Sequence, residues 1–255
     1  MSFFKNMMAS MGIGAAQVDT VLEVPNSGVR PGDTIPGRIV VSGGSVAQQV
    51  NGIELLIMTS YIKEVNDTKV RENAALARLQ LRESFEIGAG QREEFEFDLT
   101  LPLFTPITAG GTQVWVKTSL DIASALDAGD NDYIKVLPHP LVEEILNAVD
   151  HLGFRTREVE CKYAAHSRFG TPILQEFEFV PRTRNFGRLD ELEMVFIPSE
   201  GYVDVIMEVD RRSGGFSEWL GTDESRTAFR LNESEIRRGT DALSQALENK
   251  IRSFM

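Results

Sequence analysis

The residues of this chain that could do chemistry are its histidines, its lone cysteine, an acid-rich hexapeptide and an arginine-rich loop. His139 and His151 flank a helical segment, and His166 has the outward parity of a strand. None has a cysteine or aspartate at the spacing of a nucleophilic site or a metal cage, so structural or neutral roles are expected. In Glu158-Val159-Glu160-Cys161-Lys162-Tyr163, the cysteine alternates in phase with Val159 and Tyr163, which predicts a buried structural thiol. A single cysteine leaves no internal disulfide and no thiolate zinc cluster. Asp127-Ala128-Gly129-Asp130-Asn131-Asp132 offers oxygen ligands at the close spacing calcium requires. It lacks the glycine and the terminal bidentate glutamate of an EF-hand loop, so a solvated hairpin turn is expected. Gly43-Gly44 and Gly110-Gly111 neither open a helix nor carry a phosphate-binding lysine, and are expected to be turns. No catalytic residue, metal or cofactor is assigned, and the chain is expected not to be an enzyme.

The segment Pro181-Arg182-Thr183-Arg184-Asn185-Phe186-Gly187-Arg188, with Arg211-Arg212 further on, is the most basic part of the second half. Guanidinium forks match the oxygens of carboxylate and phosphate groups, and loops on rigid sandwiches are where binding residues commonly sit. Arg182, Arg184, Phe186 and Arg188 are therefore candidate contacts for a negatively charged partner. The competing expectation is local pairing with the chain's own carboxylates.

Composition narrows the partners. A net charge of -12 lacks the basic footprint that nucleic acid requires and disfavours a broad electrostatic face toward anionic lipid. No stretch approaches the roughly 20 apolar residues of a membrane-spanning helix. Residues 1–14 include Phe3, Phe4, Met7, Met8 and Met11 but no long apolar run with a cleavage site. A short amphipathic helix docked on its own protein is expected there, with weak membrane or partner contact as the alternative.

The elements that must position these residues are mostly strands. Glu94-Phe95-Glu96-Phe97-Asp98-Leu99-Thr100-Leu101 alternates strictly, the pattern of a strand with one face in a core and one in water. Leu79, Leu81, Phe85 and Ile87 share one parity and Gly88-Ala89-Gly90-Gln91 supplies a turn, so residues 78–101 are expected to form an antiparallel hairpin. Ile53 to Ile62 is apolar on both parities, as in a central strand covered on both sides. Val114, Val116, Leu120 and Ile122 mark another strand. Later strands are marked by Val159 and Cys161, Phe177 and Phe179, Leu192, Met194 and Phe196, and Val203 through Val209. Pro198-Ser199-Glu200-Gly201 is a turn between the last two. Short strands at this spacing indicate β-sandwiches.

Two helices stand out. Pro140 opens the first at a position where its missing N–H costs nothing. Leu141, Val142, Ile145, Leu146, Val149 and Leu152 form its apolar stripe, and Gly153 can end it. The second is expected over 232–255, with Asn232 and Glu235 as a capping-box pair. Ile236, Leu243, Leu247 and Ile251 line one face of it. A helix of about six turns with such a face needs a partner, and a homodimer contact is expected, with an intramolecular strap as the alternative.

Val29-Arg30-Pro31-Gly32-Asp33-Thr34-Ile35-Pro36-Gly37-Arg38-Ile39-Val40-Val41 places a type II turn at Pro31-Gly32 and a kink at Pro36-Gly37 before a β-branched strand. This pattern resembles the second strand of arrestin-like sandwiches. With the segment from His139-Pro140-Leu141 to Leu152-Gly153-Phe154, the chain resembles their bacterial branch, the sporulation-control proteins of bacilli. The resemblance implies an all-β chain with peripheral helices: two arrestin-like sandwiches at 1–138 and 154–231, a linker helix at 139–153 and a C-terminal helix at 232–255. It implies a cytoplasmic regulator or adaptor that controls sporulation by binding protein partners. The alternative is a structural or trafficking scaffold touching membrane or cytoskeleton.

Overall fold

The computed structural model describes residues 14–65, 68–123, 127–164, 167, 170–187, 189–210 and 226–254. The expected helix near the amino terminus lies outside the described residues. Eight strands come first: β1 (Gln17–Leu22), β2 (Thr34–Ser42), β3 (Gln48–Val65), β4 (Thr68–Arg82), β5 (Phe85–Ile87), β6 (Arg92–Thr100), β7 (Val114–Ile122) and β8 (Ala128–Ile134). Helix α1 (Pro140–His151) follows, then β9 (Phe154–Tyr163), β10 (Ile173–Pro181), β11 (Glu191–Ser199), β12 (Tyr202–Asp210) and β13 (Arg226–Asn232). Helices α2 (Glu233–Ile236) and α3 (Thr240–Arg252) close the chain. It is an all-β architecture with peripheral helices. Contacts divide it into two compact units. One comprises Met1–Thr59, Ala75–Pro102 and Gln113–Lys135, the other Ser60–Ala74, Leu103–Thr112 and Val136–Met255.

In the first unit, β1, β2 and β6 form one antiparallel sheet in that order. The first part of β3 pairs with β7, and β7 with β8, in a second sheet. The turn before β2 is the one the residues dictate. Gly32 has φ +91, and the Asp33 N–H donates to the Arg30 carbonyl at 3.0 Å. Pro36-Gly37 does not interrupt the strand: β2 runs through both and keeps register with β1 and β6. Gly37 is needed for close approach, because a Cβ there would lie 2.5 Å from the Phe97 ring and 2.9 Å from the Val21 carbonyl oxygen. Ile35, Ile39 and Val41 of β2 and Phe97 and Leu99 of β6 are buried, as are Ile53, Leu55 and Ile57 of β3 and Val116 and Leu120 of β7. The sheets meet where the Thr20 and Thr118 hydroxyls lie 2.6 Å apart and where the Thr20 N–H donates to Asp130 Oδ2 at 2.9 Å.

Two expectations are corrected here. Residues 78–101 are not a hairpin: β5 pairs with β3 and β6 pairs with β2, so the chain changes sheets at Gly88–Gln91. The turn exists, with the Gln91 N–H donating to the Gly88 carbonyl at 3.0 Å, but alternation in flanking strands does not say which strands pair. The acidic hexapeptide is not a loop either. Ala128–Ile134 is a strand, and Asp130 and Asp132 fall on the same face of it.

In the second unit, β9 to β13 form an antiparallel sheet in sequential order. One face carries Val159, Phe177, Phe179, Leu192, Met194, Val203, Val205, Met207 and Val209, all buried. Helix α1 covers them with Leu141, Val142, Ile145, Ala148 and Val149. Its start is built from the sequence: Pro140 is in the first turn, and His139 Nδ1 accepts the Leu141 N–H at 3.3 Å. Gly153, with φ +89, releases the chain into β9.

The C-terminal segment corrects two further expectations. Asn232 and Glu235 do pair, the Asn232 N–H donating to Glu235 Oε2 at 2.9 Å. The helix is not continuous over 232–255, however, because Gly239 at φ +98 separates α2 from α3. Ile236, Leu243, Leu247 and Ile251, expected to be an oligomer contact, are 0–2% exposed within the unit's own core. Helix α3 packs on α1, and the Ser244 hydroxyl donates to the Ala148 carbonyl at 3.1 Å. An apolar face is buried wherever a complementary one is nearest, and α1 supplies it within the chain.

Candidate functional site

Among the described side chains of the arginine loop, Arg182 and Phe186 do not form the constellation the residues suggested. Phe186 is 3% exposed, its ring 4.7 Å from that of Phe154 and its face under the Arg252 guanidinium. It closes the core at the end of β10 and is not available to a partner. Arg182 is exposed and pairs with Asp150 at the end of α1, Nη2 to Oδ1 at 2.5 Å. Arg184 begins a single 3-10 turn, and Arg188 lies outside the described residues, as do His166 and Arg211-Arg212. Arg182 thus follows the local-pairing alternative.

The remaining candidate chemistry is structural where it is described. His151 Nε2 lies 3.3 Å from Asp241 Oδ1, between α1 and α3. Cys161 is buried, its sulfur 3.6 Å from the Thr112 hydroxyl. That thiol lines a cavity of about 380 Å³ beside β9, together with Ser60, Arg71 and Gly110. Arg71 Nη1 donates to the Ser60 hydroxyl at 3.1 Å and to the Gly111 carbonyl at 2.8 Å.

A row of carboxylates escaped sequence reasoning. Glu158 stands opposite Glu178, Glu178 opposite Glu193, and Glu193 opposite Glu208, across four strands on the sheet face away from the helices. Like charges placed directly opposite repel. The sheet answers with basic groups: Arg157 meets both Glu178 and Glu191, the latter at 2.7 Å, and Lys162 meets Glu176. Carboxylate oxygens of Glu178, Glu191 and Glu193 come within 4.8 Å of one another. Burial, then the neighbouring Glu176 charge, push the Glu193 carboxyl up to about 8, so it keeps its proton at neutral pH. In the first unit, burial and the charges of Asp130 and Asp19 push Asp132 up to about 6. The signal for the row was the glutamate at every second residue of β9, β10 and β11, but only the register aligns them.

The first unit offers a different kind of site. Strand β6 pairs with β2 along its whole length and, among the described residues, with no strand on its other side. Glu94, Glu96 and Asp98 are exposed on its outer face, while Phe97 and Leu99 are buried on the inner one. A regular nine-residue strand with an open backbone edge can accept another strand.

The family described as SpoOM protein matches residues 4–213. The sporulation-control protein spo0M of Bacillus subtilis strain 168 is 40% identical over 253 residues, covering 97% of either chain. A crystal structure of Spo0M, the sporulation control protein of Bacillus subtilis, superposes with a TM-score of 0.87 at 38% identity, over 95% of the present chain and 100% of that one.

Proposed function

Since the chain belongs to the SpoOM protein family, we propose that it is a non-enzymatic cytoplasmic regulator of sporulation that works by binding protein partners. The observation that carries this is the 40% identity to a sporulation-control protein across nearly the full length of both chains. The disposition of reactive groups supports the non-enzymatic part. His139 caps a helix, His151 faces Asp241 between two helices, and Cys161 is buried in the core. No helix among the described residues is long and apolar enough to cross a membrane. Binding then falls to surfaces: strand edges, exposed carboxylates and loops. A homodimer would have to use a surface other than the apolar side of α3, which is consumed within the chain.

The reading is tested by expressing the full chain with an affinity tag in sporulating Bacillus subtilis, crosslinking in the cell, and identifying what is captured by mass spectrometry. The expected result is a small reproducible set of proteins enriched over a tagged unrelated sandwich protein. Capture of nothing beyond that control contradicts an adaptor that works through partners.

A further inference from the structure

We propose that the open edge of β6 is the docking site for an extended, lysine- or arginine-rich strand of a partner protein. The inference rests on the adaptor reading above and names the surface and the chemistry that reading leaves open.

Pro36 sets the phase of the β2–β6 ladder. It has no N–H, stands opposite Asp98, and gives its carbonyl to the Glu23 N–H of the chain beyond β1, at 2.9 Å. The Asp98 N–H and C=O therefore turn away from β2, and the two-residue repeat turns those of Glu96 and Glu94 the same way. The residues just beyond the strand keep this phase. Leu101 N–H donates to the Asp33 carbonyl at 2.9 Å, and Gly43 N–H to the Gln91 carbonyl at 2.7 Å, so odd-numbered residues serve β2. The even-numbered residues present a regular row of donors and acceptors to the open side.

Edge strands are usually blunted by bulges, prolines, brevity, exposed charge or cover, and of these β6 carries only charge. Strand β9 has a register shift at Glu178/Phe179 and meets β3 through Ile62 and Lys162. On β8 the Asp130 carboxylate accepts the Thr20 N–H, so that strand's acidic face is engaged by β1. Strand β6 has nine residues in unbroken register, no proline and, among the described residues, an uncovered outer face.

Charge selects the occupant. Glu94, Glu96 and Asp98 alternate along the exposed face, with Arg92 engaging Glu94 at 2.9 Å. A second copy of this chain pairing antiparallel about Glu96 would set Glu96 against Glu96 and Glu94 against Asp98, which like-charge repulsion opposes. A strand bearing lysine or arginine at every second residue places each cation against a carboxylate while its backbone completes the ladder.

The test uses the full chain and a short peptide of alternating lysine and threonine, followed by amide hydrogen exchange. The expected result is new protection at the Glu94, Glu96 and Asp98 amides, with affinity that falls as salt is added. Glu96→Pro removes a donor that the β2 ladder does not use, a placement that edge strands tolerate. It should weaken the peptide roughly tenfold, through the lost hydrogen bond and the ring's bulk. A folded Glu96→Pro variant that binds the peptide unchanged overturns the proposal, as does protection located elsewhere. If Glu96→Pro does not fold, the triple variant Glu94→Lys, Glu96→Lys, Asp98→Lys decides: retained affinity overturns the proposal and loss supports it. Equal binding of a peptide of alternating glutamate and threonine overturns the charge argument. A peptide that does not bind at all sinks this inference but not the adaptor reading, which the crosslinking experiment decides separately.

Discussion

Glu193 sits on a sheet face among carboxylates, and its proton is part of how that face folds. Its carboxyl is raised from the ordinary value near 4.5 to about 8. Its contribution to stability is therefore complete below the lower value and is lost as pH rises through the upper one. The expected outcome is a melting temperature that falls as pH rises from about 4.5 to about 8 and levels off above that. In Glu193→Gln, whose amide carries no charge, that fall should be shallower and the melting temperature at about pH 9 higher than in the parent. Thermal melts monitored by circular dichroism over that range decide it, and an unchanged profile in the variant would remove Glu193 from the account. The type II turn at Pro31-Gly32, the buried Cys161 and the Asn232–Glu235 pair were legible from residue type alone, because each is fixed by local chemistry. Phe186 was not. An aromatic in an arginine-rich loop looks available to a partner, and only the tertiary position of Phe154 and Arg252 shows it filling the core.

Elements were legible in kind more than in pairing. The alternation in β6, β7 and β12 put the right residues inside, and the stripe on α1 matches its buried face; in β11 Leu192 and Met194 are buried as expected, but Val195 and Ile197 of the other parity are buried more deeply than Phe196. Pairing is set by long-range register, so the sheet change between β5 and β6 had no local signature beyond a turn. The acidic residues of β8 likewise suggested a loop, since aspartate and asparagine disfavour strands unless neighbouring strands hold them. The C-terminal segment carries a prediction at this scale. Leu243→Asp with Leu247→Asp puts two charges into a core that α1 closes, a change expected to cost about 3 kcal/mol or more. The variant should lose its cooperative melt, or melt far lower. Whatever remains folded should sediment with the parent's mass. A stable variant whose mass drops by half would instead place those leucines between two copies.

Among the described residues, the chain is two units of β-sheet, each with buried apolar faces of its own. Neither unit is a continuous stretch of sequence: Ser60–Ala74 and Leu103–Thr112 pack with the later residues. A cut near residue 138, where composition places a boundary, therefore divides the chain without separating these segments from the first part. We expect fragment 1–138 to carry exposed apolar groups such as Ile107 and to melt with less cooperativity than the full chain. A sharp melt for that fragment, followed by circular dichroism, would show that the two inserted segments are dispensable. Whether this protein acts in sporulation is read out by complementation. The full chain is expressed from the native promoter in a Bacillus subtilis strain deleted for its 40%-identical relative, and heat-resistant spores are counted against parent and deletion strains. The expected result is a spore yield shifted from the deletion value toward that of the parent; a yield indistinguishable from the deletion, with the protein present and folded in the cells, would overturn a role in sporulation.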